Sequence, residues 1–286
     1  MKALSLFSVL SLTVASVSAF DRIIAYADSF TDNGNDYRHS QFPPSPPNYQ
    51  GRFSNGPTWL EYVAQNLSDY TVINNGYGGA TTNNGDVYSL FNGFTVPGLL
   101  QQIETIEVNG TSDDLYLIYI GYNDLNSILN PDQYQVVNKN YTKEKVADNV
   151  ITGVKNLIEK YNAQQFLILN VPPFEYWPVI PEDNKEYAKQ FIQDYNTLVK
   201  QALEDEIQDA ELTILDDHRW FLGQLENPER LGLSITNGPC SYGLGNTTIC
   251  DDPETHFFWD SYHPEAKVHE ALGAWATDQM KALYNI

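Results

Sequence analysis

Five short apolar segments, spread along the chain, constrain most strongly how this sequence can fold. Each is about as long as one β-strand and is apolar at consecutive positions, the pattern of a strand that is covered on both faces. We therefore predict a sheet that is buried between two layers. The five predicted strands cover residues 22–27, 70–74, 115–121, 165–171 and 212–216.

Segments with helical spacing of apolar residues lie between and after these strands. Strands that alternate with helices predict an α/β fold, in which a five-stranded parallel sheet carries helices on both faces and the crossovers are right-handed. We expect residues 20–286 to form one domain. The predicted helices cover residues 58–67, 96–108, 143–162, 182–207 and 264–284.

The first 19 residues have the composition of a secretory signal. Lys2 precedes a short apolar stretch, and small residues at Val17 to Ala19 fit a signal peptidase site. We predict that residues 1–19 are removed and that the rest of the chain is extracellular, with an uncleaved anchor as the alternative. No later segment of the sequence is long and apolar enough for a membrane helix.

The chain is strongly acidic, with 37 Asp and Glu against 16 Lys and Arg and a net charge of -21. Such a charge repels phosphate backbones and anionic membranes, so we predict no nucleic-acid partner and no stable membrane association. The sequence leaves the oligomeric state open.

Two cysteines, Cys240 and Cys250, are the only ones in the chain. In an exported protein, a pair that closes a ten-residue loop indicates a disulfide rather than a metal site. Asparagine-linked glycans are predicted on acceptor sequences at Asn66, Asn109, Asn140 and Asn246.

Polar or glycine residues lie shortly after the first three predicted strands. Ser29 follows the first strand, Gly78 and Gly79 follow the second, and Asn123 follows the third. In parallel α/β sheets, ligands bind outside the carboxyl ends of the strands. These residues are therefore predicted to meet at one edge of the sheet, although Ser29 alone would fit a helix N-cap equally well.

Near the other end of the chain, Asp260 lies three residues before His263. At this spacing a carboxylate can hold one ring N–H of the imidazole and present the other nitrogen to a substrate. Ser29, His263 and Asp260 then form a possible catalytic triad. The α/β-hydrolase fold is the natural rival, but the chain contains no G-x-S-x-G motif.

The sequence indicates no metal site and no cofactor. His256, His263 and His269 do not have the spacing of a metal-binding pair. The segment 32–36 (DNGND) lacks the ligand pattern of a calcium loop, so we interpret it as a solvated turn.

Four motifs in order along the chain resemble the conserved blocks of the SGNH or GDSL hydrolases: ADSFTDNGN, NNGYGGATTN, IGYNDL and DSYHP. The resemblance implies a flavodoxin-like three-layer fold and ester hydrolysis through an acyl-enzyme. It places the nucleophile on Ser29, the base and acid on His263 and Asp260, and the oxyanion hole on Ser29, Gly79 and Asn123. Amide donors at those three positions would stabilise a tetrahedral oxyanion.

Two positions depart from the family's first motif. Ala27 replaces a glycine and Phe30 replaces a leucine. We expect that the first position requires a small residue rather than a positive φ, and that Phe30 changes the packing beneath the site.

Within the family, the motifs are most similar to fungal acetyl esterases of carbohydrate esterase family 16. This similarity implies removal of acetyl groups from plant-wall oligosaccharides, and 19 Tyr and 5 Trp offer flat faces for sugar rings. Two alternatives remain open: a lipase or phospholipase that acts on longer acyl chains, and a carbohydrate-binding module with little catalytic activity.

Overall fold

The computed structural model describes residues 20–242 and 247–286. The predicted signal, residues 1–19, and the predicted glycan site at Asn246 lie outside the described residues. Within the described part of the chain, no helix is long and apolar enough to cross a membrane.

The centre of the protein is a five-stranded sheet, and its strands fall within or near the predicted segments. Their bounds are β1 Arg22–Ala27, β2 Thr71–Asn74, β3 Leu115–Tyr119, β4 Gln165–Leu169 and β5 Glu211–Leu215. All neighbouring strands are parallel, in the order β2-β1-β3-β4-β5. The predicted α/β fold is therefore confirmed.

Burial explains why these segments are continuously apolar. Every residue of β3 and β4 is buried, as are all residues of β1 except Arg22, because helices cover both faces of the central strands. Arg22 instead forms a double hydrogen bond with the buried carboxylate of Asp114, at 2.8 and 2.6 Å. This ion pair fixes the start of β1 beside the start of β3.

Eight α-helices surround the sheet in the described residues; α2 packs on α8, and α5 packs on both α3 and α6. Three of them (α1, α4 and α7) were not predicted. Their bounds are α1 Asn35–Ser40, α2 Trp59–Asn66, α3 Leu99–Thr105, α4 Tyr122–Leu129, α5 Lys143–Tyr161, α6 Lys185–Glu206, α7 Asp217–Glu226 and α8 Ala266–Tyr284.

One predicted helix is shorter than expected. The prediction over residues 96–108 becomes α3, which begins after Gly98 and ends before Ile106. Gly98 and Ile106 both have extended backbone conformations, which end the helix on either side. The apolar pattern in the sequence continues past both ends and therefore overestimated its length.

Short strand pairs outside the central sheet form the outer loops. They join Val87–Tyr88 with Gln135–Val136, Leu90–Phe91 with Phe94–Thr95, Ile235–Pro239 with His256–Phe258, and Ser241–Tyr242 with Thr248–Ile249. The last pair lies inside the loop that the Cys240–Cys250 disulfide closes. Of the predicted glycan sites, Asn66, Asn109 and Asn140 are exposed.

Candidate active site

Ser29 and His263 lie in direct contact although 234 residues separate them in the chain. Ser29 sits two residues beyond the end of β1, and its hydroxyl oxygen is 2.8 Å from Nε2 of His263. Both side chains are buried. The structure therefore brings together the hydroxyl and the imidazole of the possible triad.

Asp260 holds the other side of the imidazole. Its carboxylate oxygens lie 2.8 and 2.9 Å from Nδ1 of His263. The same carboxylate also accepts the backbone N–H groups of Tyr262 and His263, at 2.7 and 2.8 Å. A carboxylate at Nδ1 favours a proton on that nitrogen, which leaves the lone pair of Nε2 directed at the Ser29 hydroxyl.

Ser29, Gly79 and Asn123 line one pocket, and each carries an amide N–H donor. The backbone N–H groups of Ser29 and Gly79 have no acceptor among residues 20–242 and 247–286. The Asn123 amide donates one hydrogen to the carbonyl of Ala80, at 2.9 Å, and carries a second. Unpaired donors that converge on a nucleophile can stabilise negative charge on a substrate oxygen.

The turn at Gly78 and Gly79 has steric reasons to contain glycine. Gly79 has φ +74°, and a Cβ there would lie 2.8 Å from both the Phe91 ring and the Ser89 hydroxyl. A Cβ on Gly78 would lie 1.9 Å from the Phe53 ring. These glycines allow the two aromatic rings to pack directly against the turn.

The pocket has a volume of about 520 Å³ and is lined by both apolar and polar side chains. Phe42 stacks on Phe91, and Phe53 packs on Phe42 and on the His263 ring, the latter at 5.1 Å. We call the apolar lining residues the apolar wall: Phe42, Pro43, Pro44, Phe53 and Phe91. The polar lining includes Asn48, Gln133, Tyr134, Ser241, Thr247 and Tyr262.

The sequence analysis did not identify these lining residues. The proline-rich segment at residues 43–57 supplies Pro43, Pro44, Asn48 and Phe53 to the pocket. Its composition was the one available signal, because prolines fix a loop shape that can present side chains without helix or strand periodicity.

The segment 32–36 is not the solvated turn that we predicted. Asp32 is fully buried and accepts the backbone N–H groups of Gly34 and Asn35, at 2.7 and 2.5 Å, and of Gly78 across the site, at 2.8 Å. The Asp32 carboxylate therefore accepts backbone N–H groups rather than facing water. As a result, the loop after β1 is tied to the loop after β2.

Asp124 has the same structural role one strand further along. It is buried and accepts both the N–H and the hydroxyl of Thr82, at 2.8 and 2.7 Å, and the hydroxyl of Tyr141 at 2.5 Å. These bonds fix the start of α4 against the loop that contains Gly79. Asp124 does not line the pocket, so its position agrees with a structural role.

The two departures from the family's first motif have packing explanations. Ala27 is fully buried at the end of β1, and it is not among the described residues with positive φ. Phe30 lies beneath the site and packs on Tyr122, Trp177 and His263. Position 27 thus needs no positive φ, and the larger ring at position 30 is accommodated by neighbouring aromatic rings.

Cys240, Cys250 and His256 are the one cluster of potential metal ligands in the described part of the chain. The two sulfur atoms are joined in a disulfide, as the sequence predicted. Because thiolates are the metal-binding form of cysteine, this cluster has no thiolate to offer while the disulfide is intact.

A family model described as GDSL-like Lipase/Acylhydrolase matches residues 28–276, which is most of the chain. The chain belongs to this family. The family resemblance seen in the motifs is thereby confirmed, and so is the prediction that the protein is a carboxylic ester hydrolase.

Relatives of this GDSL-like hydrolase match over most of the chain. A phosphatidylcholine-sterol acyltransferase of Aeromonas hydrophila is 24% identical over 98% of this chain and 96% of its own. A GDSL esterase/lipase of Arabidopsis thaliana is 24% identical over 78% of this chain and 74% of its own.

Solved structures share the fold. One described as a GDSL-like lipase from Parabacteroides merdae has a TM-score of 0.56 and 15% identity, over 94% of this chain and 97% of its own. An acetyl-xylooligosaccharide esterase from Geobacillus has a TM-score of 0.51 and 16% identity, over 95% of this chain and 97% of its own. At these identities, the likeness establishes the three-layer architecture alone.

Gly79→Ala should lower kcat/KM at least about tenfold, because the added methyl group would clash with Phe91 and Ser89 and would strain the left-handed backbone by about 1–2 kcal/mol, which moves an N–H that the family resemblance assigns to the oxyanion hole. Gly223→Ala is the matched control, since position 223 lies inside α7 with no atom within 4 Å of the new Cβ. The control should keep full activity and gain about 0.5–1 kcal/mol of stability. Wild-type turnover by Gly79→Ala would show that this N–H is not needed.

Stability should depend on pH through the buried acids next to the site. Burial raises the pKa of Asp32 to about 6 and that of Asp36 to about 8, from an ordinary value of 3.8; the charge of Asp32 also contributes to the shift at Asp36. Between the unfolded and folded pKa values, the folded protein binds more protons than the unfolded chain. The contribution of these two acids to the free energy of unfolding is therefore fully present below about pH 4 and is lost as the pH rises toward about 8.

We expect the urea concentration at the unfolding midpoint to decrease as the pH is raised from about 5 to about 8. Asp36→Asn should make this decrease smaller. Asp209→Asn makes the same charge change at an exposed position and should leave the slope intact. Equal slopes for the two variants would assign the pH dependence to overall charge repulsion instead.

Proposed function

We propose that this GDSL-like hydrolase is a serine esterase in which Ser29 is the nucleophile, His263 the base and Asp260 the acid that orients it. The observation that supports this best is the continuous chain of contacts from Asp260 through His263 to the Ser29 hydroxyl, with distances of 2.8 Å at each step. Asp28 is not assigned a catalytic role; it is buried and accepts the backbone N–H of Phe30 at 3.1 Å.

In the first half-reaction, Ser29 Oγ attacks the ester carbonyl carbon while its proton passes to His263 Nε2. The tetrahedral oxygen then faces the N–H groups of Ser29 and Gly79 and the amide of Asn123. The bond to the alcohol breaks, the proton on Nε2 passes to the departing oxygen, and the acyl group remains on Ser29. Water repeats the sequence and releases the carboxylic acid.

We propose acetylated oligosaccharides as the substrate class and removal of acetyl groups as the reaction. The mixed lining of the pocket supports this choice. A sugar ring has apolar C–H faces and polar edges; the rings of Phe42, Phe53 and Phe91 offer flat apolar faces, and Gln133 and Tyr262 offer polar groups in the same pocket.

A second candidate is an esterase for longer acyl chains. The apolar wall would also accommodate aliphatic chains, and the relative from Aeromonas hydrophila is described as a phosphatidylcholine-sterol acyltransferase. We propose in addition that residues 1–19 direct the protein outside the cell and that Asn66, Asn109 and Asn140 carry glycans there. Their exposure is compatible with modification.

Ser29→Ala should reduce hydrolysis of 4-nitrophenyl acetate by at least about 10⁴-fold, because the nucleophile and its acyl-enzyme are lost. A fluorophosphonate probe should label the wild-type protein on Ser29 and leave the variant unlabelled. Ser234→Ala, at an exposed serine, is the control and should behave as wild type. Carbohydrate affinity without turnover or labelling would favour the binding-module alternative.

A series of 4-nitrophenyl esters from acetate to octanoate separates the two substrate classes. We expect kcat/KM to be highest for acetate and to fall as the acyl chain lengthens, and acetate to be released from acetylated xylo-oligosaccharides. Ser29→Ala measured on the same series provides the background rate. A maximum at octanoate would select the lipase-type alternative while leaving the triad assignment intact.

A further inference from the structure

Asn123 differs from the other two donors in the proposed oxyanion hole. The N–H groups of Ser29 and Gly79 belong to the backbone, so their directions are fixed by the chain. The Asn123 donor is a side-chain amide, and an exchange of its oxygen and nitrogen would present an acceptor to the oxyanion. Something must therefore hold the amide in one orientation.

A directed series of hydrogen bonds does this. Asn130 Nδ2 donates to Asn126 Oδ1 at 2.8 Å, and Asn126 Nδ2 donates to the Tyr134 hydroxyl at 2.9 Å. The Tyr134 hydroxyl donates to Asn123 Oδ1 at 3.1 Å, and Asn123 Nδ2 donates to the carbonyl of Ala80 at 2.9 Å. Each hydrogen bond in the series determines whether the next group acts as donor or as acceptor.

The direction of the series is determined at its two ends. The Ala80 carbonyl only accepts, so the side of the amide that faces it is the nitrogen. A tyrosine hydroxyl can donate or accept, but Asn126 already donates to Tyr134 and leaves the hydroxyl proton for Asn123. Burial raises the pKa of Tyr134, which keeps this proton in place at neutral and moderately alkaline pH.

The sequence NDLNSILN, residues 123–130, supports the arrangement locally. Asn123 and Asn126 lie three residues apart in α4, and Asn130 caps its C-terminus, so all three face the same side of the helix. Asn126 is fully buried, where an amide without partners would be costly. Tyr134 follows after a short helical turn and reaches back over this face while also lining the pocket.

We propose that Tyr134 is a positioning residue that fixes the Asn123 amide with its N–H toward the reacting oxygen, and that Asn126 orients Tyr134 in turn. This inference rests on the proposed esterase function. It adds a role for Tyr134 in kcat, since an oxyanion donor acts mainly on the transition state and little on ground-state binding.

Tyr134→Phe should lower kcat for 4-nitrophenyl acetate about tenfold, with KM within about twofold of wild type, because one neutral hydrogen bond to the donor group is lost. Tyr116→Phe is the matched control. Its hydroxyl donates a hydrogen bond of 2.9 Å to the Thr111 carbonyl, away from the pocket, so its loss should lower the melting temperature and leave kcat unchanged.

A double-mutant cycle separates positioning from a general structural effect. Asn123→Ala should lower kcat about 10²-fold, and adding Tyr134→Phe to it should cost less than about twofold more. A full tenfold loss in the Asn123→Ala background would overturn the positioning role. A wild-type kcat for Asn123→Ala would instead refute the oxyanion assignment. A wild-type protein that neither hydrolyses the ester nor reacts with the fluorophosphonate probe would refute the proposed function.

A second variant tests the direction of the series. Asn126→Asp replaces the donor to Tyr134 by an acceptor, which draws the tyrosine proton away from Asn123. The variant should show the same loss in kcat as Tyr134→Phe, and combining the two should add little. An Asn126→Asp enzyme that folds and keeps wild-type kcat would overturn the role of Asn126.

Discussion

The contact between His263 and Ser29 joins the two ends of the described chain, and it depends on a tightly closed turn. The Trp259 N–H donates to the His263 carbonyl at 2.9 Å, and the Glu265 N–H donates to the Phe257 carbonyl at 2.9 Å. Inside this turn, the Asp260 carboxylate accepts two backbone N–H groups and the imidazole. The imidazole is therefore held by backbone geometry rather than by one flexible side-chain contact, which is the preorganisation that acid–base chemistry requires.

Buried acids stabilise the loops around this contact at a cost in electrostatic energy. Asp28, Asp32 and Asp124 are all buried and lie close in sequence to Ser29 or Asn123, and burial raises the pKa of each. Asp32 and Asp124 offset part of this cost by accepting two or more hydrogen bonds each, and those bonds join the loops that follow β1, β2 and β3. The same carboxylates that specify the loop geometry thus make it sensitive to pH.

Much of this architecture could be predicted because parallel strands buried on both faces are apolar at every position, and because their carboxyl ends must share one edge. The same reasoning failed for short polar helices such as α4, whose residues form a helix because Asn123 and Asp124 find buried partners on other loops. It also failed for Asp32, since composition does not show whether a polar side chain faces water or backbone N–H groups. The pocket walls come from rings such as Phe42 and Phe91, whose stacking joins segments far apart in sequence.

The oxyanion hole illustrates how much a single side-chain donor requires. A backbone N–H is directed by φ and ψ, so the loops that fix Ser29 and Gly79 also aim their donors. An asparagine amide has two further torsions and two nearly isosteric orientations, so its direction depends on partners outside the reacting centre. In this protein those partners extend through Tyr134 and Asn126 to the end of α4. The constraint on sequence therefore reaches beyond the residues that would touch a substrate and along one face of α4. Of the three asparagines on that face, the IGYNDL motif contains only Asn123.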